Sequence, residues 1–304
     1  MDDTHDDRRL VDGLVKLLTV EPAASDSYTG RAQQGGIGRV FGGQVLAQAL
    51  QAAQASVTDG KSAHSLHAYF LRGGREGGPI TYRIERDFDG RSFANRRVVA
   101  AQANEDGSSS PILNLTASFQ VPEEGLEHDD SPMPDVADPD TLKSDMEMRR
   151  EMAERIGNRL SDAQRALMLR PRPIEMRTQD KLHWMNSEPR EPRAHSWFRT
   201  TAPLPDDPAL HRAVITYASD FTLLGTSALP HGLSWMRGEL VGASLDHAIW
   251  FHRPARADEW LLYATDAPWS GGGRGFNRGR IFNRDGQLVA SVAQEGMMRR
   301  RKGG

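Results

Sequence analysis

Residues 44–53, Gln44-Val45-Leu46-Ala47-Gln48-Ala49-Leu50-Gln51-Ala52-Ala53, restrict the fold of this chain more than any other stretch. They are strong helix formers, and so many alanines let a helix backbone lie close against a sheet. Four segments rich in β-branched and aromatic residues follow, at 65–71, 80–87, 92–103 and 112–121, separated by Gly, Asp and Pro. They predict strands, with Asn104-Glu105-Asp106-Gly107 as a hairpin turn. The unit is one small-residue helix followed by an antiparallel meander, which makes the chain α+β. Ahead of it, Leu10, Leu14, Leu17 and Leu18 mark a short amphipathic helix, and Gly35-Gly36-Ile37-Gly38 is a glycine-rich stretch.

The same unit recurs. A helix is expected to open near Ser219-Asp220, and strands at 243–252, 260–265, 275–282 and 288–298. Letters repeat in order as well: Leu66-His67-Ala68-Tyr69-Phe70 resembles Asp246-His247-Ala248-Ile249-Trp250, Gly90-Arg91-Ser92-Phe93 resembles Gly273-Arg274-Gly275-Phe276, and Leu115-Thr116-Ala117-Ser118 resembles Leu288-Val289-Ala290-Ser291. An Asn-x-Asp-Gly turn stands at 104–107 and again at 283–286. Between the copies, Pro122, Pro132, Pro134 and Pro139 punctuate an acidic stretch, and Lys143 to Leu169 returns to helix formers before Pro171. The expected division is a first unit at 8–121, a connector with a helix at 122–172 and a second unit at 173–304.

Composition removes several chemistries. Lys and Arg total 38 against 41 Asp and Glu, a formal net charge of −3, so no overall field draws a polyanion and nucleic acid is not expected as a partner. Cysteine is absent, which excludes disulfides, thiolate nucleophiles and Cys-type metal sites. His64 and His67, and His247 and His252, are spaced to point to opposite faces of a strand, so neither pair shares an ion. Gly38 to Gly43 has the glycine spacing of a phosphate loop, but Gln44 stands where lysine is needed. The serine-hydrolase pattern G-x-S-x-G does not occur. Gly271-Gly272-Gly273-Arg274-Gly275 reads as a loop before a strand, and Arg299-Arg300-Arg301-Lys302 as a solvated tail. The acidic start of the chain and the lack of an apolar run of ~18–20 residues lead to the expectation of a cytoplasmic protein without membrane contact.

Three polar residues in the second copy fit structure alone poorly. Asp220 stands at the expected helix opening, where an N-cap is the simplest role. Gln294 shares parity with Leu288, Ala290, Val292 and Met298, the more apolar face of the last strand, and a buried amide without partners costs about 1–3 kcal/mol. Ser244 lies on the strand that carries Asp246, Ala248 and Trp250 on the same face. In the repeat register Ser244 matches His64, Gln294 matches Val121, and Asp220 falls near Gly43 or Gln44. The trio occurs once, and residues required by the fold should occur in both copies. That favours a functional role.

These segments resemble the acyl-CoA thioesterase II family across nearly the whole chain. The resemblance is carried by Arg39-Val40-Phe41-Gly42-Gly43-Gln44-Val45, the stretch from His64 to Arg72, Tyr217-Ala218-Ser219-Asp220-Phe221, the stretch from Asp246 to Pro254, and Val292-Ala293-Gln294-Glu295-Gly296. It implies two fused hot-dog units, each a long helix wrapped by an antiparallel β-sheet, and hydrolysis of fatty acyl-CoA with no cofactor and no metal. By position, Asp220, Ser244 and Gln294 would be the catalytic group, with water as nucleophile and the oxyanion met by backbone amides after Asp220. Arg91, Arg274 and Arg278 are surface cations without assigned contacts. A homo-oligomer through sheet edges is also expected. Two alternatives stand beside this reading, a hot-dog enoyl-CoA hydratase and a non-catalytic acyl-CoA binding protein.

Overall fold

The computed structural model describes residues 3–31, 33, 38–179, 188–233, 235 and 237–301. Gly35, Gly36 and Ile37 of the glycine-rich stretch, and the tail from Lys302, lie outside the described residues. The first half opens with helix α1 (Asp3–Leu18), whose Val11, Leu14 and Leu18 are buried. A hairpin of β1 (Val20–Ala24) and β2 (Ser27–Gly30) follows. Next come helix α2 (Gly42–Ala55) and the meander β3 (Ser62–Phe70), β4 (Ile80–Asp89), β5 (Phe93–Ala103) and β6 (Ser109–Gln120). Nearly every side chain of α2 is buried and its N-cap, Phe41, makes no capping hydrogen bond. Tertiary packing rather than end chemistry therefore stabilises this helix.

The connector holds two helices, α3 (Asp145–Ile156) and α4 (Asp162–Met168), where one was expected. Gly157, at φ 59°, separates them, and each begins with a capping box, Ser144 with Glu147 and Ser161 with Gln164. Strands β7 (Ile174–Arg177) and β8 (Arg193–Thr200) lead to helix α5 (Pro208–Ser219) and the single-turn α6 (Leu223–Thr226). Strands β9 (Leu240–Ser244), β10 (Asp246–Phe251), β11 (Leu261–Gly271), β12 (Arg274–Asn283) and β13 (Leu288–Arg300) complete the second half. The expected helix opening at Ser219-Asp220 is wrong by one helix length. Asp207 caps α5 by accepting from the Ala209 N–H at 2.9 Å, Pro208 holds its first position, and Asp220 is its C-cap.

One antiparallel path runs β1-β2-β4-β5-β6-β3-β10-β13-β12-β11-β8-β7, with β9 pairing β13. The halves meet where β3 and β10 pair, Tyr69 with Asp246 through Ser65 with Trp250, and where α2 packs on α5 inside the curved sheet. Edge pairing of the two repeats thus takes place within one chain. The connector lies over the second half: Trp197 Nε1 donates to Ala137 O at 3.0 Å, and Met133, Val136 and Leu142 pack on a separate cluster of Trp197, Trp260, Leu262 and Phe282.

Backbone bonds also fix which residues are equivalent between the halves. The N–H groups of Leu71 and Arg72 both donate to Ile112 O, and those of His252 and Arg253 both donate to Val289 O. Counting from these pairs places Ala117, not Val121, opposite Gln294, and Arg96 opposite Asn277. The paired helix ends place Ser56, the C-cap of α2, opposite Asp220, the C-cap of α5; both adopt φ −89°. The register read from letters had set Asp220 against the opposite end of the helix, at Gly43 or Gln44.

Candidate active site

Asp220, Ser244 and Gln294 come together. Gln294 Nε2 donates to Asp220 Oδ1 at 2.7 Å, and Ser244 Oγ donates to the same oxygen at 3.4 Å. Gln294 is 1 % exposed on the inner face of β13, as its parity predicts. Asp220 reaches it from the end of α5, and a backbone hydrogen bond from Gly43, in the first turn of α2, also holds the carboxylate. Burial pushes the Asp220 pKa up to about 6, and the bonds from Gln294, Gly43 and Ser244 pull in the opposite direction without overcoming it.

Ser244 does not share a face with Asp246. Leu245 interrupts the strand, its N–H donating to Glu295 O and its carbonyl accepting from Phe70 N–H. This irregularity reverses the alternation, so Ser244 and His247 both face Asp220 while Asp246 turns outward and accepts from the Glu295 N–H at 2.5 Å.

His247 was missed as a site residue, although the Asp246-His247 pair stands in the stretch that carries the family resemblance. It is fully buried, and burial lowers its pKa to about 3, so it is neutral. Its Nδ1 accepts from Gln294 Nε2 at 3.0 Å, which leaves Nε2–H to donate to Ser219 Oγ at 2.9 Å. Ser219 Oγ in turn donates to Thr216 O. Two acceptors, Asp220 and His247, therefore set the Gln294 amide with its nitrogen toward both, and Gln294 Oε1 has no partner among the described residues.

Gly42 and Gly43, in the first stretch that carries the family resemblance, also shape the site. A Cβ on Gly42 would lie 2.7 Å from Asp220 Oδ2 and 3.0 Å from the Phe70 ring, and one on Gly43 would lie 2.5 Å from Tyr217 O. Only glycine lets the opening of α2 approach the carboxylate this closely. The amides expected after Asp220 belong to α6, a single turn without a side-chain cap; the helix start that touches Asp220 is that of α2. The site therefore draws on both halves.

A cavity of about 760 Å³ opens from Asp220 and Ser244. Val40, Phe41, Phe70, Leu71, Leu224 and Trp235 supply its apolar wall, and Arg39 and Arg72 also line it. Arg274 and Arg278 are instead paired with Glu295 and Asp266, both at 2.9 Å, and they and Arg91 are absent from the lining. Among the described residues no cluster of His, Asp or Glu is arranged to hold a metal ion, and no helix is long and apolar enough to cross a membrane.

A buried acid held by neutral donors, at the seam between a small-residue helix and an enclosing antiparallel sheet, defines a hot-dog protein with a carboxylate-centred site. A structure from Alicyclobacillus acidocaldarius, described as a conserved protein of unknown function with hot dog fold, shares that fold. Its TM-score is 0.74 at 17% identity, over 95% of this chain and 98% of its own. The family described as acyl-CoA thioesterase matches residues 172–297, and the acyl-CoA thioesterase N-terminal domain matches residues 31–120. Acyl-CoA thioesterase 2 of Haemophilus influenzae is 36% identical over 95% of this chain and 98% of its own length. The crystal structure of the acyl-CoA thioesterase II TesB2 from Mycobacterium marinum has a TM-score of 0.73 at 36% identity, covering 95% of this chain and 99% of that one. The chain belongs to the acyl-CoA thioesterase II family.

Proposed function

We propose that Asp220, Ser244 and Gln294 hold and activate the water that cleaves a fatty acyl-CoA into free acid and coenzyme A. By family the chain is an acyl-CoA thioester hydrolase; the proposal concerns how these side chains do it. The observation that carries it is one buried carboxylate, with a pKa of about 6, at the inner end of an apolar cavity. At neutral pH such a group is ionised yet more basic than an ordinary carboxylate, the condition a general base needs.

In this reading the water oxygen attacks the thioester carbonyl carbon while Asp220 takes its proton. The negative charge that develops on the carbonyl oxygen is met by the N-terminal end of α2, where the positive end of the helix dipole and the Gly42 amide lie beside the carboxylate that takes the Gly43 N–H. The tetrahedral intermediate then expels the thiolate, a good leaving group, and the proton on Asp220 passes to it or to solvent. Arg39 and Arg72 supply positive charge for the coenzyme A phosphates.

A hydratase is disfavoured by the same geometry. Protonating an enoyl carbon needs a second titratable group on the substrate, and His247 is buried, neutral and engaged through both ring nitrogens. After Asp220 the chain reads Phe221-Thr222-Leu223-Leu224-Gly225, with neither Asn nor His.

We read the halves as two fused hot-dog units, 8–121 and 173–304, joined by the connector 122–172. The chain is proposed to be cytoplasmic and to form a homo-oligomer through sheet edges, for which β1 and β7 are the free ends of the path. The test of the chemistry is thiol release from acyl-CoAs of several chain lengths. Wild type is expected to turn over, and Asp220→Asn to lose ~10²–10⁴-fold in kcat with an unchanged circular dichroism spectrum. Undiminished turnover by Asp220→Asn removes Asp220 from the mechanism, and acyl-CoA binding without thiol release by wild type identifies a carrier.

A further inference from the structure

A second cavity, of about 550 Å³, lies at the opposite end of the helix pair, between the start of α5, the start of β3 and the chain after β10. It is the counterpart of the first by the internal repeat. Arg72 Nη1 donates to Pro111 O at 3.1 Å beside the first cavity, and Arg253 Nη1 donates to Leu288 O at 2.9 Å beside the second. The hydrolytic group is missing from this end. Ser56 stands in the place of Asp220 and Ala117 in that of Gln294. The guanidinium of Arg96, 1 % exposed, fills the space, donating to Ser56 Oγ at 3.0 Å and Ser56 O at 3.3 Å. The cavity has been kept where its chemistry has not.

The lining holds one cation, Arg212, without an ion-pair partner among the described residues, and one carboxylate, Glu123, that accepts from Gln120 Nε2 at 3.3 Å. Arg253 is paired with Asp129 at 2.9 Å, and Arg256 with Asp206 at 2.8 Å and Asp258 at 3.0 Å. Arg212, part-buried on α5, makes no side-chain hydrogen bond or ion pair among the described residues, and burial lowers its pKa against the weaker opposing attraction of Asp207. On the same helix, His211 Nδ1 accepts from the Ala257 N–H at 3.0 Å, so its proton sits on Nε2. That Nε2–H is buried and has no partner among the described residues. A buried donor and a desolvated guanidinium left unpaired are each unfavourable in the empty protein. Ile215, Phe251, Leu261 and Val289 supply apolar wall.

We propose that this cavity binds, without hydrolysing, a monocarboxylate with an apolar tail, its head on Arg212. One guanidinium without an ion pair matches one negative charge; the several phosphate charges of coenzyme A need more free cations than this end offers. That the ligand is the acid released at the first cavity rests on the proposed function, whereas the monocarboxylate chemistry does not.

Calorimetric titration of the full chain with decanoate tests it. Arg212→Leu and, separately, Ile215→Trp, which fills the cavity, are expected to remove one bound equivalent or to weaken it by about tenfold or more. Asp220→Asn should keep that equivalent, and decanol should bind there more weakly than decanoate. Thiol release by Arg212→Leu, measured without added acid, should match wild type. A diazirine-bearing decanoate on the wild-type protein gives a reading that needs no variant, with label expected on residues 208–215 and 251–256. Absence of decanoate binding, equal binding by both cavity variants, equal binding of decanol, or label confined to the first cavity overturns the proposal. Failure of thiol release alone removes the function proposed for the first cavity and leaves the equivalent that depends on Arg212 in place.

Discussion

Asp220 and His247 lie 3.9 Å apart, and burial moves the pKa of each away from its charged form. For Asp220 the folded pKa, about 6, exceeds the ordinary 3.8, so the native state holds a proton between these values that the unfolded chain has released. The resulting penalty is absent below pH 3.8 and complete above about pH 6, on the order of 3 kcal/mol. His247 acts in the other sense: its folded pKa is about 3 against 6.5, so stability is lost as pH falls below 6.5 and the unfolded chain gains a proton. Urea unfolding of Asp220→Asn should therefore show a variant more stable than wild type at pH 8, with the two curves converging by about pH 4. A wild type that is equally or more stable at pH 8 would mean that the carboxylate is not held against its solvation. The rate should carry the same signature, with kcat/KM rising through about pH 6 where an unperturbed carboxylate would place the limb near 4. Gln294→Ala removes the 2.7 Å donor and the bond to His247 together, and a loss of ~10²–10³-fold in kcat is expected. Ser244→Ala, which removes only the 3.4 Å contact, should cost less, so the order of the two losses checks the geometry. Gln294 was legible from strand parity alone, because a lone amide on an apolar face requires a partner. Ser244 was legible as a residue but not in its direction, since the reversal at Leu245 comes from the backbone of two neighbouring strands.

The first turn of α2 and the C-cap of α5 make the candidate site together, and neither end carries it alone. Gly42→Ala introduces a methyl 2.7 Å from Asp220 Oδ2, with Phe70 closing the other side. We expect a loss of roughly 10²-fold in kcat/KM from displaced reacting groups, with little change in the unfolding midpoint; unchanged kinetics would show that this approach is not needed. In the other half, Arg96→Leu leaves Ser56 and the Phe88 carbonyl without their donor. It should destabilise the fold by about 2–4 kcal/mol in denaturant titration while sparing turnover. The position of α5 had a readable signal in Asp207-Pro208, an N-cap followed by proline at the first helical position. Ser219-Asp220, equally good cap residues, drew the start to the wrong end. The two connector helices were also marked, by Ser144 with Glu147, Ser161 with Gln164, and Gly157 between them. Local cap chemistry names helix ends, but a Ser-Asp pair suits either end until packing chooses one.

The two halves complete one another at the scale of the molecule, through the β3–β10 pairing and the α2–α5 contact. A fragment of residues 8–121 would expose the edge of β3 and the face of α2 that meets α5. It is expected to self-associate or aggregate in size-exclusion chromatography, and a soluble folded monomer would show that the halves are independent. The repeat, the small-residue helix, the absence of thiol chemistry and the inward face of Gln294 were all determined by the sequence, because composition and short-range periodicity encode burial and local conformation. Which end of the helix carries Asp220, which way Ser244 turns, that His247 orients Gln294, and that Gly43 from the other repeat reaches the acid were decided only by tertiary structure. Each of these depends on a strand irregularity or a contact between residues far apart in the chain, where steric fit and the need to pair buried polar groups select among arrangements that local propensity leaves equal.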